Sequence, residues 1–110
     1  MDTILQTRTG DTIHNPTPEQ MRESLAHLNP TGSGAYDTWL SANIGGNDWF
    51  VTALEDGSAT LTIVDYASGT GEYKVYSLPN ASRAHILEVW QELQRGDAEA
   101  IMGRPWQRTS

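Results

Sequence analysis

The 110-residue chain contains no cysteine. That excludes a disulfide framework, a thiolate nucleophile and any cysteine-ligated zinc. Cations are also scarce, with seven Lys and Arg against fourteen Asp and Glu and a net charge of −7. None of the seven falls between Arg22 and Lys74. Phosphate contacts need clustered Lys and Arg, so direct nucleic-acid binding is not expected. No apolar run approaches the ~18 residues of a membrane span. Met1-Asp2-Thr3 is not the basic start of a secretory leader. The expected location is the cytoplasm, which the lack of cysteine suits.

What is present suffices for a core. A hydrophobic fraction of 37% with four Trp is expected to form one domain, residues 1–110, burying roughly two-thirds of the unfolded surface. The chain is organised around Asp37–Leu78, which reads as four runs: DTWLSANI, DWFVTAL, ATLTIVDY and EYKVYSL. Each is rich in β-branched and aromatic residues. The interruptions, Gly45-Gly46-Asn47, Glu55-Asp56-Gly57-Ser58 and Ala67 to Gly71, are turn formers. This pattern predicts consecutive antiparallel strands. Alternation sets Leu40, Ala42 and Ile44 against Trp39, Ser41 and Asn43, and Trp49, Val51 and Ala53 against Phe50, Thr52 and Leu54. It also sets Leu61 and Ile63 against Thr62, Val64 and Tyr66, and Tyr73 and Val75 against Lys74 and Tyr76.

Thr3 to His14, with Gly10-Asp11 as turn, predicts a small hairpin at a sheet edge. Thr17, Pro18 and Gln20 form a helix start with a capping-box pattern, followed by the stripe Met21, Leu25, Leu28. Ser82 is the expected N-cap of a second helix with the stripe Ile86, Val89, Trp90, Leu93, stopped at Gly96. Asp97 caps a short turn to Met102, and Trp106 is expected to fold back over it before a polar tail. The fold class is therefore α+β: a meander of about four antiparallel strands plus an N-terminal hairpin, with two main helices packed on one face and a short C-terminal helix.

No catalytic or metal-binding pattern emerges, and no cofactor is expected. His14, His27 and His85 lack metal-ligand spacing. Gly45-Gly46 and Gly69-Thr70-Gly71 lie between strands and not before a helix, so they are turns and not phosphate loops. Trp90 and Trp49 are expected in the core. Trp39, alternating with Ser41 and Asn43, is the expected exposed Trp, and Trp and Tyr are common interface anchors. Acidity keeps a small protein soluble, and it also suits a basic partner.

One order of features runs along nearly the whole chain. Asn15-Pro16-Thr17 starts the first helix, Asp56-Gly57 turns the meander, Trp90 lies on the second helix, and Gly96-Asp97 and Pro105-Trp106 follow. It resembles immunity proteins of bacterial polymorphic-toxin systems, in particular a small family often encoded beside deaminase-type toxins. The resemblance implies a cytoplasmic antitoxin without enzymatic activity. Such a protein neutralises its cognate toxin, one acting on nucleic acid as a deaminase or nuclease, by forming a stoichiometric complex. The implied partner has a basic active-site cleft. The matching surface is assigned to Asp48, Glu55, Asp56, Asp65 and Glu72 for electrostatics, with Trp39, Tyr66 and Tyr76 as anchors. The alternative is a non-catalytic adaptor or chaperone-like module binding through the same face. A third reading is a small enzyme using an acid such as Asp65 or Glu72. The chain is expected to be a monomer or a weak homodimer, the latter through an uncapped strand at residues 3–7.

Overall fold

The computed structural model describes residues 2–7, 10–26, 38–54, 58–66, 69 and 71–109. Glu55, Asp56, Gly57, His27, Leu28 and the stretch 29–37 lie outside the described residues.

The N-terminal hairpin forms as its sequence predicts. Strand β1 (Thr3–Gln6) pairs antiparallel with β2 (Thr12–His14). Asn15 then turns the chain with φ 49°, and its side-chain oxygen accepts from the Thr3 amide at 2.9 Å. Asn tolerates this left-handed backbone better than other non-glycine residues. Helix α1 (Pro18–Ala26) opens with a reciprocal capping box. The Gln20 amide donates to Thr17 Oγ1 at 3.1 Å, and Gln20 Oε1 accepts from the Thr17 amide at 2.9 Å.

Strands β3 (Thr38–Ile44), β4 (Asn47–Ala53), β5 (Ala59–Asp65) and β6 (Glu72–Leu78) form the meander. Both central residues of the β3–β4 turn, Gly45 and Gly46, have positive φ, 61° and 85°. Such a two-residue turn matches the twist of its flanking strands, and only residues like glycine adopt it without strain. Helix α2 (Arg83–Gln94) is capped by Ser82, whose Oγ accepts from the His85 amide at 3.1 Å. It ends at Arg95 and Gly96, the latter with φ 68°. Helix α3 (Ala98–Met102) is capped by the Asp97 carboxylate, which accepts from the Ala100 amide.

Two features differ from the sequence-based expectation. The hairpin joins the edge of the meander as expected, but the antiparallel sheet has seven described strands, in the order β2-β1-β3-β4-β5-β6-β7. The last, β7 (Gln107–Arg108), lies in what reads as a polar tail. It pairs with Tyr76 and Ser77 on β6, and the Thr109 amide extends the ladder to the Val75 carbonyl. A two-residue strand carries no alternation, so nothing local announces it. Strand β1 also sits between β2 and β3, so its hydrogen-bonding edges are engaged on both sides. It is not the uncapped strand on which a weak homodimer was predicated.

The core lies between the sheet and the helices. Leu5, Leu40, Val51 and Leu61 stand side by side across four strands and are fully buried. Against them pack Met21 and Leu25 of α1, Ile86, Val89, Trp90 and Leu93 of α2, and Ile101 of α3. Trp90 is fully buried, and its Nε1 donates to the Val51 carbonyl at 3.0 Å. α1 is also tied by polar contacts. Thr38 Oγ1 donates to the Gln6 carbonyl at 2.6 Å, so its one hydroxyl proton is used and Ser24 Oγ donates to it at 2.7 Å. The C-terminal segment is pinned by Arg104. Its guanidinium pairs with Glu92 and Glu88 and donates from Nε to His85 Nε2 at 2.7 Å. Trp106 folds back as expected, with its Nε1 donating to the Ile101 carbonyl at 2.8 Å.

Candidate protein-binding surface

The register fixes which side chains share each face of the sheet. On the helix side run Thr38, Leu40, Ala42 and Ile44 of β3 with Asn47, Trp49, Val51 and Ala53 of β4. They continue into Ala59, Leu61, Ile63 and Asp65 of β5 and Glu72, Lys74, Tyr76 and Leu78 of β6. The opposite face shows three cross-strand rows over β3 to β6: Trp39–Thr52–Thr60–Ser77, Ser41–Phe50–Thr62–Val75 and Asn43–Asp48–Val64–Tyr73. None of the described helices belongs to this side, since their buried apolar residues all join the cluster on the other and Ser24 bonds Thr38 there. The face is open.

Trp39 and Phe50 form its centre. Their ring centroids lie 5.6 Å apart at 74°, an edge-to-face pair on adjacent strands, and both are half-buried. Asp48 is also half-buried and accepts a hydrogen bond from Asn43 Nδ2 at 3.1 Å across the β3–β4 turn. Val64 is 7% exposed yet stands outside the core cluster, which places its shielding on the open side. Tyr73 beside it is 68% exposed, and Tyr66, just past the end of β5, is 56% exposed. No Lys or Arg stands on this face among the described residues of the strands.

The predicted site residues therefore divide. Trp39 and Asp48 share the open face, and Tyr66 follows its last row. Asp65 and Glu72 are direct cross-strand neighbours on the helix-side parity, at the end of the sheet. Two acids so placed repel, which concentrates negative potential there. Tyr76 is on the helix side as well, half-buried against the core, with the Arg108 guanidinium 5.6 Å from its ring centroid. Its place is in the packing of β7 against β6. Glu55 and Asp56 lie outside the described residues. Phe50 and Tyr73 belong to the open face but were not among the predicted anchors. Alternation within β4 and β6 marks them, but only the register joins them to Trp39.

Among the described residues no group of three or more His, Asp or Glu is arranged to hold a metal, and no helix is long and apolar enough to cross a membrane. His85 accepts from Arg104, which puts its own proton on Nδ1 and makes it part of a structural network. The surface with chemistry to offer is the open face, whose aromatics and polar side chains suit contact with another macromolecule. No protein-family model matches the sequence, and no characterised protein or solved structure is significantly similar to it.

Proposed function

We propose that this chain is an immunity protein, which neutralises a cognate secreted bacterial toxin acting on nucleic acid by forming a one-to-one complex with it in the cytoplasm. The observation that carries the reading is the open sheet face. It has an edge-to-face aromatic pair, further exposed tyrosines and an acid, with no cation among its described residues. A deaminase or nuclease needs a basic cleft to hold phosphate. A protein of net charge −7 is attracted to such a cleft over a distance and is held there by aromatic contacts once docked. The inhibitor needs no chemistry of its own.

The test is co-expression with the product of the neighbouring gene, followed by affinity purification at low and high salt. Rescue of growth together with a tight one-to-one complex is the expected result. Co-purification without rescue moves the assignment to a protein-binding adaptor. Neither rescue nor co-purification overturns the immunity reading.

A further inference from the structure

The aromatic side chains of the open face are not scattered over it. Trp39 stands on β3 in the first cross-strand row, Phe50 on β4 in the second, and Val64 and Tyr73 on β5 and β6 in the third. From Trp39 through Phe50 to Tyr73 the rings move along the sheet as they cross it and make an oblique aromatic track, with the buried Val64 in its floor between Phe50 and Tyr73. Thr60, Thr62 and Ser77 with the aliphatic Val75 border one side of the track, and Ser41, Asn43 and Asp48 with the aliphatic Ile4 the other. From Trp39 to Tyr73 the track crosses three strand spacings and two rows, roughly 20 Å in all.

We propose that this track seats an amphipathic α-helix of the partner, with Lys or Arg along the helix flank that meets Asp48. The proposal rests on the reading of the chain as a protein-binding module and names the element that such a partner presents. A helix spans roughly 20 Å in about 13 residues, between three and four turns. Its apolar stripe recurs every three to four residues, which supplies one anchor per turn for a track of three rings. A partner strand would instead pair at a sheet edge, where the backbone groups are, and not on a face. A second copy of this chain is disfavoured by charge. Its own open face offers an acid and no cation among the described residues, within a stretch lacking Lys and Arg from residue 23 to residue 73. Charge complementarity therefore selects a basic partner element.

Amide-resolved NMR titration of the full chain tests this with three synthetic 15-residue peptides. One has a Leu stripe flanked by Lys, one the same stripe flanked by Glu, and one is the Lys peptide with a central proline. The expected shifts centre on Trp39, Phe50, Val64 and Tyr73, with the Lys-flanked helix binding at least about tenfold tighter than the other two. Tyr73→Ser, at a side chain 68% exposed, leaves the fold intact and weakens that binding by about fivefold or more. Shifts centred on the helix-covered side or on β7 overturn the proposal. So does equal binding of the Glu-flanked or proline-broken peptide, or no binding at millimolar peptide. Each of these outcomes leaves growth rescue by co-expression as a separate question.

Discussion

Two tryptophans on neighbouring parts of the same core differ in one hydrogen bond. Trp90 Nε1 donates to the Val51 carbonyl, whereas Trp49, 8% exposed, has a buried Nε1 without a hydrogen-bond partner among the described residues. A buried donor left unpaired costs about 1–3 kcal/mol, so Trp49 carries a penalty that Trp90 avoids. Both rings are large and both lie in the same cluster. Trp→Phe removes the N–H in each case, along with part of the ring. At Trp90 the loss of ring volume and of the bond act together, and unfolding in urea is expected to show a destabilisation of about 2–4 kcal/mol. At Trp49 the loss of volume is offset by removal of the unpaired donor, and the expected change is less than about 1 kcal/mol. Equal losses at the two sites would mean that the Nε1 of Trp49 is satisfied in solution, for example by water. Arg104 illustrates the same rule in charged form. Its guanidinium and the Glu92 carboxylate are each 14% exposed, and each lends the other the partner that burial requires.

Helix α1 depends heavily on contacts outside its own sequence. It contributes only Met21 and Leu25 to the described core, and its capping box secures the first turn. What fixes it against the sheet is the relay from Ser24 through Thr38 to the Gln6 carbonyl, which joins α1, β3 and β1. The two hydroxyls are unequal. Ser24→Ala leaves Thr38 with its carbonyl acceptor, and the expected cost is under about 1 kcal/mol. Thr38→Val keeps the shape but strands both the Ser24 hydroxyl and an acceptor, for an expected cost of about 1–3 kcal/mol. Thermal unfolding of both variants and of the double variant checks the asymmetry; a double variant no worse than Thr38→Val alone is the expected coupling. That relay could not be read from sequence, because it links residues far apart in the chain by geometry alone. The capping box, the Ser82 and Asp97 caps, the glycine turn at Gly45-Gly46 and the meander strands were legible, since each is written in residues within a few positions of one another. β7 was not, because a two-residue strand is defined by its partner. The candidate surface was half legible for the same reason. Alternation separates Trp39 from Leu40 and already puts Asp65 and Tyr66 on opposite faces of β5. Which face of β5 and β6 continues that of Trp39 depends on the register. The register sends Tyr76 to the helix side and brings Tyr73 to the open one.

At the scale of the whole molecule, charge and contact are distributed differently. The aromatic contacts concentrate on one face, but the acids do not. Asp48 stands on the open face and Asp65 and Glu72 on the helix-side parity at one end of the sheet. An electrostatic field does not respect that division. At physiological salt it reaches about 8 Å, comparable to the thickness of a single sheet with its side chains, so acids on either face act on an approaching basic surface. Contacts that hold a docked partner, by comparison, are made only where the partner sits. The proposed function therefore separates two sets of variants kinetically. Asp65→Asn combined with Glu72→Gln moves the net charge from −7 to −5 and is expected to slow association with the co-purified basic partner by a few-fold. It should also flatten the dependence of that rate on salt and leave dissociation nearly unchanged. Trp39→Ala is expected to do the reverse, speeding dissociation by about tenfold or more with little change in the salt slope. Stopped-flow association across a salt series, with dissociation by competition, measures both. An association rate and salt slope indifferent to the loss of Asp65 and Glu72 would remove those two acids from partner capture. Of the acids assigned to the partner surface, Asp48 alone would then remain among the described residues, and capture would have to rest on contact with the open face itself.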